Sequence, residues 1–229
     1  MRPNNTLSRL DKSSLSNRVY ESLLTAIVRQ EFSAGQNLDI ETLAQTFGVS
    51  RSPIQAAIAR LADLGLVEIK ARRGTCISKL STEDVHELFE IRALIEGHAV
   101  KKAAISATKA ELRAIRELIS EMEKLFNGDE FKDYYDFLDL DRQFHSMIVR
   151  LGRNKRLVAI YDQARTLIEL TRASASRHAE GANLTRKRHI AISDGLMERD
   201  VNKAAKAIEN HLKESEKGVL ERLHMTGHE

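Results

Sequence analysis

Ile40 to Thr75 reads IETLAQTFGVSRSPIQAAIARLADLGLVEIKARRGT. Leu43, Ala44 and Phe47 recur at helical spacing, and Gly48-Val49-Ser50 breaks the pattern. A second helical pattern opens at Ser52-Pro53 and carries Ile54, Ile58 and Leu61 on one side. Leu66 to Ile69 reads as a strand, Lys70 to Gly74 as a basic turn, and Thr75-Cys76-Ile77 as the return strand. Helix, sharp turn, helix and hairpin is the order of a winged helix-turn-helix, which sets its second helix in the DNA major groove.

The second helix has a marked start. Ser52 suits the N-cap, Pro53 the first turn, and Gln55 the third position of a capping box. Its outer face shows Ser52, Ala56, Ala59 and Asp63, flanked by Gln55 and Arg60. Alanine methyls can touch thymine methyls, and a glutamine can pair with adenine. Arg51, just before the helix, is placed for a phosphate or a guanine. Arg72 and Arg73 stand at the hairpin tip, beside Gly74 and Thr75, where they suit a phosphate backbone or a narrow minor groove. A merely solvated helix face and turn would show the same residues. Cys76 reads as a small core residue of the wing, since no second cysteine exists to support redox chemistry.

Upstream, Leu15, Val19, Leu23 and Ile27 recur every four residues beside Tyr20, Leu24 and Val28, which predicts a first helix over 14–29. Residues 1–12 lack periodicity and read as a tail. Residues 1–80 hold 11 basic and 7 acidic side chains, against 25 and 26 in 81–229. The basic excess lies with the helix-turn-helix pattern and suits a polyanionic partner. The 229 residues are 42% hydrophobic and 30% charged, enough for two modest domains. Only Pro3 and Pro53 occur and Trp is absent, which favours helix. No apolar run is long enough for a membrane span, and no apolar segment opens the chain as a secretion signal would. One cysteine fits a reducing, cytoplasmic setting.

The domain reading is 1–12 tail, 13–78 winged helix-turn-helix, 79–82 linker, 83–224 helical domain and 225–229 tail. Ser81 with Glu83 and Asp84, and Thr108 with Glu111, mark helix starts. Helical patterns cover 82–106, 109–127, 130–151, 155–174, 184–199 and 201–224, with breaks at Asn127-Gly128, Gly152-Arg153-Asn154 and Gly181-Ala182-Asn183. Six helices with short connections imply an antiparallel bundle, so the whole chain reads as mainly α.

The helix over 130–151 has an inward stripe of Tyr134, Phe137, Leu138, Asp141, His145 and Ile148. Asp141 and His145 stand one turn apart on that face. A carboxylate there is costly unless paired or bound to a cation. His189 shares a face with Ile192 and Leu196, and His211 with Ala204, Ile208 and Leu212. Three helices thus aim one carboxylate and three imidazoles inward, a donor set for a divalent ion such as Zn²⁺, Ni²⁺ or Mn²⁺. Any one of these histidines alone reads rather as a hydrogen-bonded core residue than as a ligand; the four together carry the metal reading. His86, His98, His178, His224 and His228 show no such arrangement and read as surface or tail residues.

Two resemblances follow. FGVSRSPIQAAIARLADLGLVEIKARRGT resembles the winged helix of GntR-family bacterial transcription regulators, matching at Leu43-Ala44, Gly48-Val49-Ser50-Arg51, Pro53, Arg60-Leu61, Gly65-Leu66-Val67 and Arg73-Gly74. It departs at Ala34 (usually Pro), Ile40 (usually Glu) and Gln55-Ala56 (usually Arg-Glu). That Arg commonly contacts DNA in the family, so Gln55 prevents borrowing an operator sequence. Asp141-Arg142-Gln143-Phe144-His145, Gly152-Arg153-Asn154, His189-Ile190 and Asn210-His211-Leu212 are similar to the FCD ligand-binding domain of the FadR subfamily, in its six-helix, VanR-like form. The resemblance implies that Asp141, His145, His189 and His211 ligate the metal. It implies that Arg92, in a segment whose Arg92 and Glu96 match the first-helix pattern, meets an effector carboxylate. A structural salt bridge is the other reading of Arg92.

The resulting expectation is a homodimeric repressor on a pseudo-palindromic operator, released by a small carboxylic acid at the metal site. The rival is a metal-dependent hydrolase using the Asp and three His to activate water. Against it, no separate general base stands beside the four ligands, and the DNA-binding half would be unexplained. A structural metal in a constitutive DNA-binding protein is a third reading.

Overall fold

In the computed structural model, which describes residues 12–70, 74–174 and 182–225, the chain divides after Lys79 into two units. The first comprises α1 (Lys12–Val28), β1 (Asn37–Leu38), α2 (Ile40–Phe47), α3 (Arg51–Asp63), β2 (Val67–Lys70) and β3 (Gly74–Ile77). Helix α1 packs on α3. Val19, Leu23 and Ile27 are buried there with Ile54, Ala57, Ile58 and Leu61. The expected α1 stripe is one turn shorter, because Leu15 is 40% exposed. Asp39 caps α2, its carboxylate accepting from the Thr42 amide at 2.7 Å, and that bond holds its pKa below the usual value. Gly48 ends α2 at φ 63°, a left-handed cap that disfavours any side chain, and turns the chain into α3.

Helix α3 begins two residues before the predicted start. Its N-cap is Ser50, without a side-chain cap bond, rather than Ser52, and the Gln55 capping box does not form. Pro53 is still accommodated, because first-turn amides have no intrahelical partner to lose. The wing is a three-stranded antiparallel sheet ordered β1-β3-β2, with Leu38 opposite Thr75 and Val67 opposite Ile77. Strand β1 has no sequence signal of its own. Two residues show no periodicity, and they form a strand by pairing with the edge of β3.

The second unit comprises α4 (Thr82–Ser106), α5 (Lys109–Lys124), β4 (Phe126–Asn127), β5 (Glu130–Phe131), α6 (Tyr134–Leu151), α7 (Lys155–Ser174), α8 (Ala182–Met197) and α9 (Val201–Met225). Both predicted caps of this unit form, and each is a capping box, Ser81 with Asp84 and Thr108 with Glu111. Ser81 and Thr82, assigned to the linker, thus cap and begin α4. The patterns over 109–127 and 130–151 overran. Phe126↔Phe131 and Asn127↔Glu130 pair in a hairpin with a two-residue turn, and Asp133 caps α6 by accepting from the Tyr135 and Asp136 amides at 2.9 Å. The hairpin gathers Phe126, Phe131, Tyr134 and Phe137 into an aromatic cluster with ring centroids 4.6–6.4 Å apart.

Phe144, Ile148, Ile192, Leu196, Ala204 and Ile208 lie at the centre of the bundle core. Helices α8 and α9 meet at Gly195, where a Cβ would lie 2.6 Å from the Ala204 nitrogen. Gly152 is as tight, with Ala99 Cβ 2.8 Å from where its own would be. These contacts admit no side chain, and they fix the distances between the helices that carry the polar residues of the core.

Candidate metal centre and DNA-binding face

Asp141 and His145 come from α6, His189 from α8 and His211 from α9, and all four are at most 4% exposed. One ligand atom from each falls within 4.8 Å of the other three. The hydrogen bonds at the back of the rings settle what faces the centre. His189 Nδ1 lies 2.8 Å from the Thr185 carbonyl oxygen, which only accepts, so Nδ1 carries the proton and donates. His145 Nδ1 lies 2.6 Å from Glu96 Oε2 and donates likewise. Rings held by Nδ1 in this way turn Nε2 inward. His189 Nε2 then meets Asp141 Oδ1 at 2.7 Å, and His145 Nε2 meets His211 Nε2 at 3.1 Å. Burial, and then the neighbouring His189 and His145, push the His211 pKa well below 6.5. Electron-pair donors in mutual contact repel unless a proton or cation lies among them. The site therefore fits a divalent cation, and its backing by a carboxylate and a carbonyl is how ligating imidazoles are oriented. His211 Nδ1 has no hydrogen-bond partner among the described residues.

Arg92 and Glu96 occupy the buried face of α4, both fully enclosed. Arg92 Nε donates to Glu96 Oε1 at 2.8 Å. Its Nη1 and Nη2 are buried and have no hydrogen-bond partner among the described residues. Burial opposes the charge on Arg92, but Glu96, Tyr161 and Asp141 outweigh it and raise the pKa above the usual value. The salt bridge anticipated as one reading of Arg92 therefore exists, but it occupies a single nitrogen. Glu96 is the hub that sequence reasoning placed in a pattern without a role. It accepts from Arg92, from His145 and, at 2.9 Å, from the Tyr161 hydroxyl. Its signal was present: Arg92 and Glu96 stand four apart between Phe89, Ile95 and Ala99, where an exposed charge pair would not fall. Tyr161, on α7, had no comparable signal.

On the first unit, Arg51, Ser52, Gln55, Ala56, Ala59 and Asp63 are exposed along one side of α3. Arg51 is ion-paired with Glu41 of α2. Arg60 is turned back on its own unit. Its guanidinium lies 3.8 Å from the centre of the Tyr20 ring and donates to Asn17 Oδ1 at 2.6 Å. Gly74 is exposed, whereas Thr75 is 8% exposed within the sheet. Arg72 and Arg73 lie outside the described residues. His86, His98 and His224 are exposed, as expected, and His86 contacts Glu216; His178 and His228 also lie outside the described residues. Among the described residues, no helix is long and apolar enough to cross a membrane.

Comparison with known proteins places both units. Residues 15–77 match the family of bacterial regulatory proteins, gntR family, and residues 87–214 match the FCD domain. The chain is 32% identical over 154 residues to the HTH-type transcriptional regulator YdhC of Bacillus subtilis (strain 168), covering 67% of each chain. It is 24% identical over 205 residues to the HTH-type transcriptional repressor RspR of Escherichia coli (strain K12), covering 90% of this chain and 89% of that one. A solved structure of a GntR protein from Rhodococcus sp. RHA1 superposes with a TM-score of 0.77 at 21% identity, over 90% of this chain and 98% of the other.

Proposed function

Since the chain belongs to the gntR family of bacterial regulatory proteins and carries an FCD domain, and is therefore a DNA-binding transcription regulator and not an enzyme, we propose that it is a homodimeric cytoplasmic repressor released from its operator by a small carboxylic acid. The observation that carries the ligand class is the pair of idle buried nitrogens on Arg92 beside the Asp141, His145, His189 and His211 cluster. Asp141 and Glu96 contribute two negative charges to this interior and Arg92 one positive. A divalent ion on the four ligands leaves the interior with an excess positive charge, which an anion neutralises. A planar carboxylate matches the two parallel N–H donors of a guanidinium.

When bound, the metal supplies Lewis-acid sites for further oxygen donors of such an acid. Zn²⁺, Ni²⁺ and Mn²⁺ all accept this donor set. Glu96 holds His145 and Arg92 in place from behind. Phe144 and Phe137 stand edge-on to His189, at 5.1 and 6.0 Å between centroids, and keep that side of the site apolar. On DNA, Arg51 exchanges the Glu41 carboxylate for a phosphate or guanine, while Ser52, Gln55, Ala56 and Ala59 meet base edges. Arg72, Arg73 and Gly74 serve as the wing. Arg60, already bound to Tyr20 and Asn17, braces α3 against α1, and Thr75 packs in the sheet. Each dimer half reads one half-site of a pseudo-palindromic operator. The acid changes operator affinity only by binding two states of the protein unequally, with a typical coupling of about 1–3 kcal/mol, or roughly 5- to 150-fold.

A thermal-shift screen of small carboxylic acids on the metal-loaded protein, with and without chelator, tests the reading. Stabilisation that vanishes with chelator and in the His189→Ala and His211→Ala variants is expected, with operator release by the same acid. Full metal occupancy in both variants would remove the site.

A further inference from the structure

The outer face of α4 is unlike the rest of the helical unit. Among the described residues, three of that unit's five exposed large hydrophobics, Ile91, Leu94 and Ile105, lie on it, with Leu94 68% exposed. Glu87, Ile91, Leu94, His98, Lys101 and Ile105 recur at alternating steps of four and three, the spacing of a helix seam made for another helix. Beside Leu94 runs a groove between α4 and α9, lined by Ala93, Gly97, Ile208 and Leu212 among others. A Cβ at Gly97 would touch nothing within 4 Å, so the hollow there is not filled by the chain's own packing.

We propose that this face is the twofold contact between two copies of the chain, with the α4 helices antiparallel and crossing at Leu94. The inference rests on the dimeric reading above and assigns its surface. The charge order along α4 selects the occupant. A second α4, reversed about Leu94, sets Glu87 opposite Lys101 of the other copy and Glu90 opposite its His98. It also sets Ile91 over the hollow at Gly97. Each pairing occurs twice, as an isologous contact requires. Glu87, Glu90, His98 and Lys101 make no ion pair or hydrogen bond among the described residues, so these side chains are available to a partner. A parallel partner would instead stack acid on acid and base on base. Small Ala93 and Gly97 let the two backbones approach.

Sedimentation velocity on the full chain, with its metal retained, tests the assignment. Leu94→Glu is expected to weaken association by roughly 30-fold or more, the range of a buried central anchor, and to yield monomer at low micromolar concentration. Lys101→Glu alone weakens it through two like-charge contacts, and the double variant E87K/K101E restores the wild-type dimer. These residues are exposed, so circular dichroism should show an unchanged fold. Should L94E distort the helix, the charge-reversal pair still decides. A wild-type dimer unaffected by L94E, or unrestored by the double variant, overturns this surface and leaves the dimeric reading standing. A monomeric wild type overturns both.

Discussion

The two units place their charged side chains in opposite environments. Among the described residues, the buried polar groups of the winged-helix unit are neutral, Thr75 and Ser78. The helical unit buries Arg92, Glu96, Asp141, His145, His189 and His211. Charges at a surface cost little to hold and exchange partners readily, as Arg51 does between Glu41 and DNA in the reading above. Charges in a core cannot exchange partners without large changes in stability. One unit is therefore built to associate with a polyanion in a salt-dependent way. The other holds its charges where the loss of a partner is costly to the fold.

The contrast is most exposed at Glu96. Glu96→Ala leaves Arg92 buried without a counterion and frees His145 from its backing carboxylate. A loss of about 3–5 kcal/mol in urea unfolding of the helical unit is expected. A loss below about 1 kcal/mol would mean that the interior is solvated and that the contrast is false. A smaller effect is expected on the other side. Arg51→Ala should leave stability nearly unchanged, weaken operator binding and lower the slope of log K against log salt by about one per winged-helix unit. An unchanged slope would mean that Arg51 meets no phosphate. The smallest effect concerns an exposed pair within the helical unit. Glu111 is held at a pKa of about 2 against the ordinary 4.5, first by the Arg153 guanidinium and then by the Thr108 amide. A depressed carboxylate stabilises the fold above its unfolded pKa and loses that contribution as pH falls from 4.5 toward 2. The melting-temperature gap between wild type and Glu111→Gln should therefore close across that window. A gap independent of pH would show that the pair contributes nothing electrostatic.

Legibility followed the range of the causes. The Ser81 and Thr108 caps act within one turn, and the sequence places them to the residue. Asp141, His145, His189 and His211 were legible because each interrupts an apolar stripe of its own helix, though they lie far apart in the chain. The Asn127-Gly128 break was visible, but the hairpin at Phe126 and Phe131 was not, since each strand is only two residues long. Arg60 resembled a DNA-facing side chain because α3 periodicity cannot reveal that Tyr20 and Asn17 of α1 lie beside it. The role of Glu96 was hidden for the same reason. Two of its partners, His145 and Tyr161, are 49 and 65 residues away.

Gly195 touches no ligand, yet it bears on how the site grips. It contacts Ala204 six residues after His189, and His211 follows Ala204 by seven, so α8 and α9 run back from this contact toward the paired imidazoles. The arrangement is that of tongs, with the pivot at Gly195 roughly 9 Å along the helix from the jaws at 1.5 Å per residue. A tilt at the pivot opens or narrows the jaws, whose ring centroids are 4.5 Å apart. In the metal-binding reading proposed above, the grip on an ion is thus calibrated where no donor atom stands. Relatives with a side chain at that position would be expected to hold a different ion, or none.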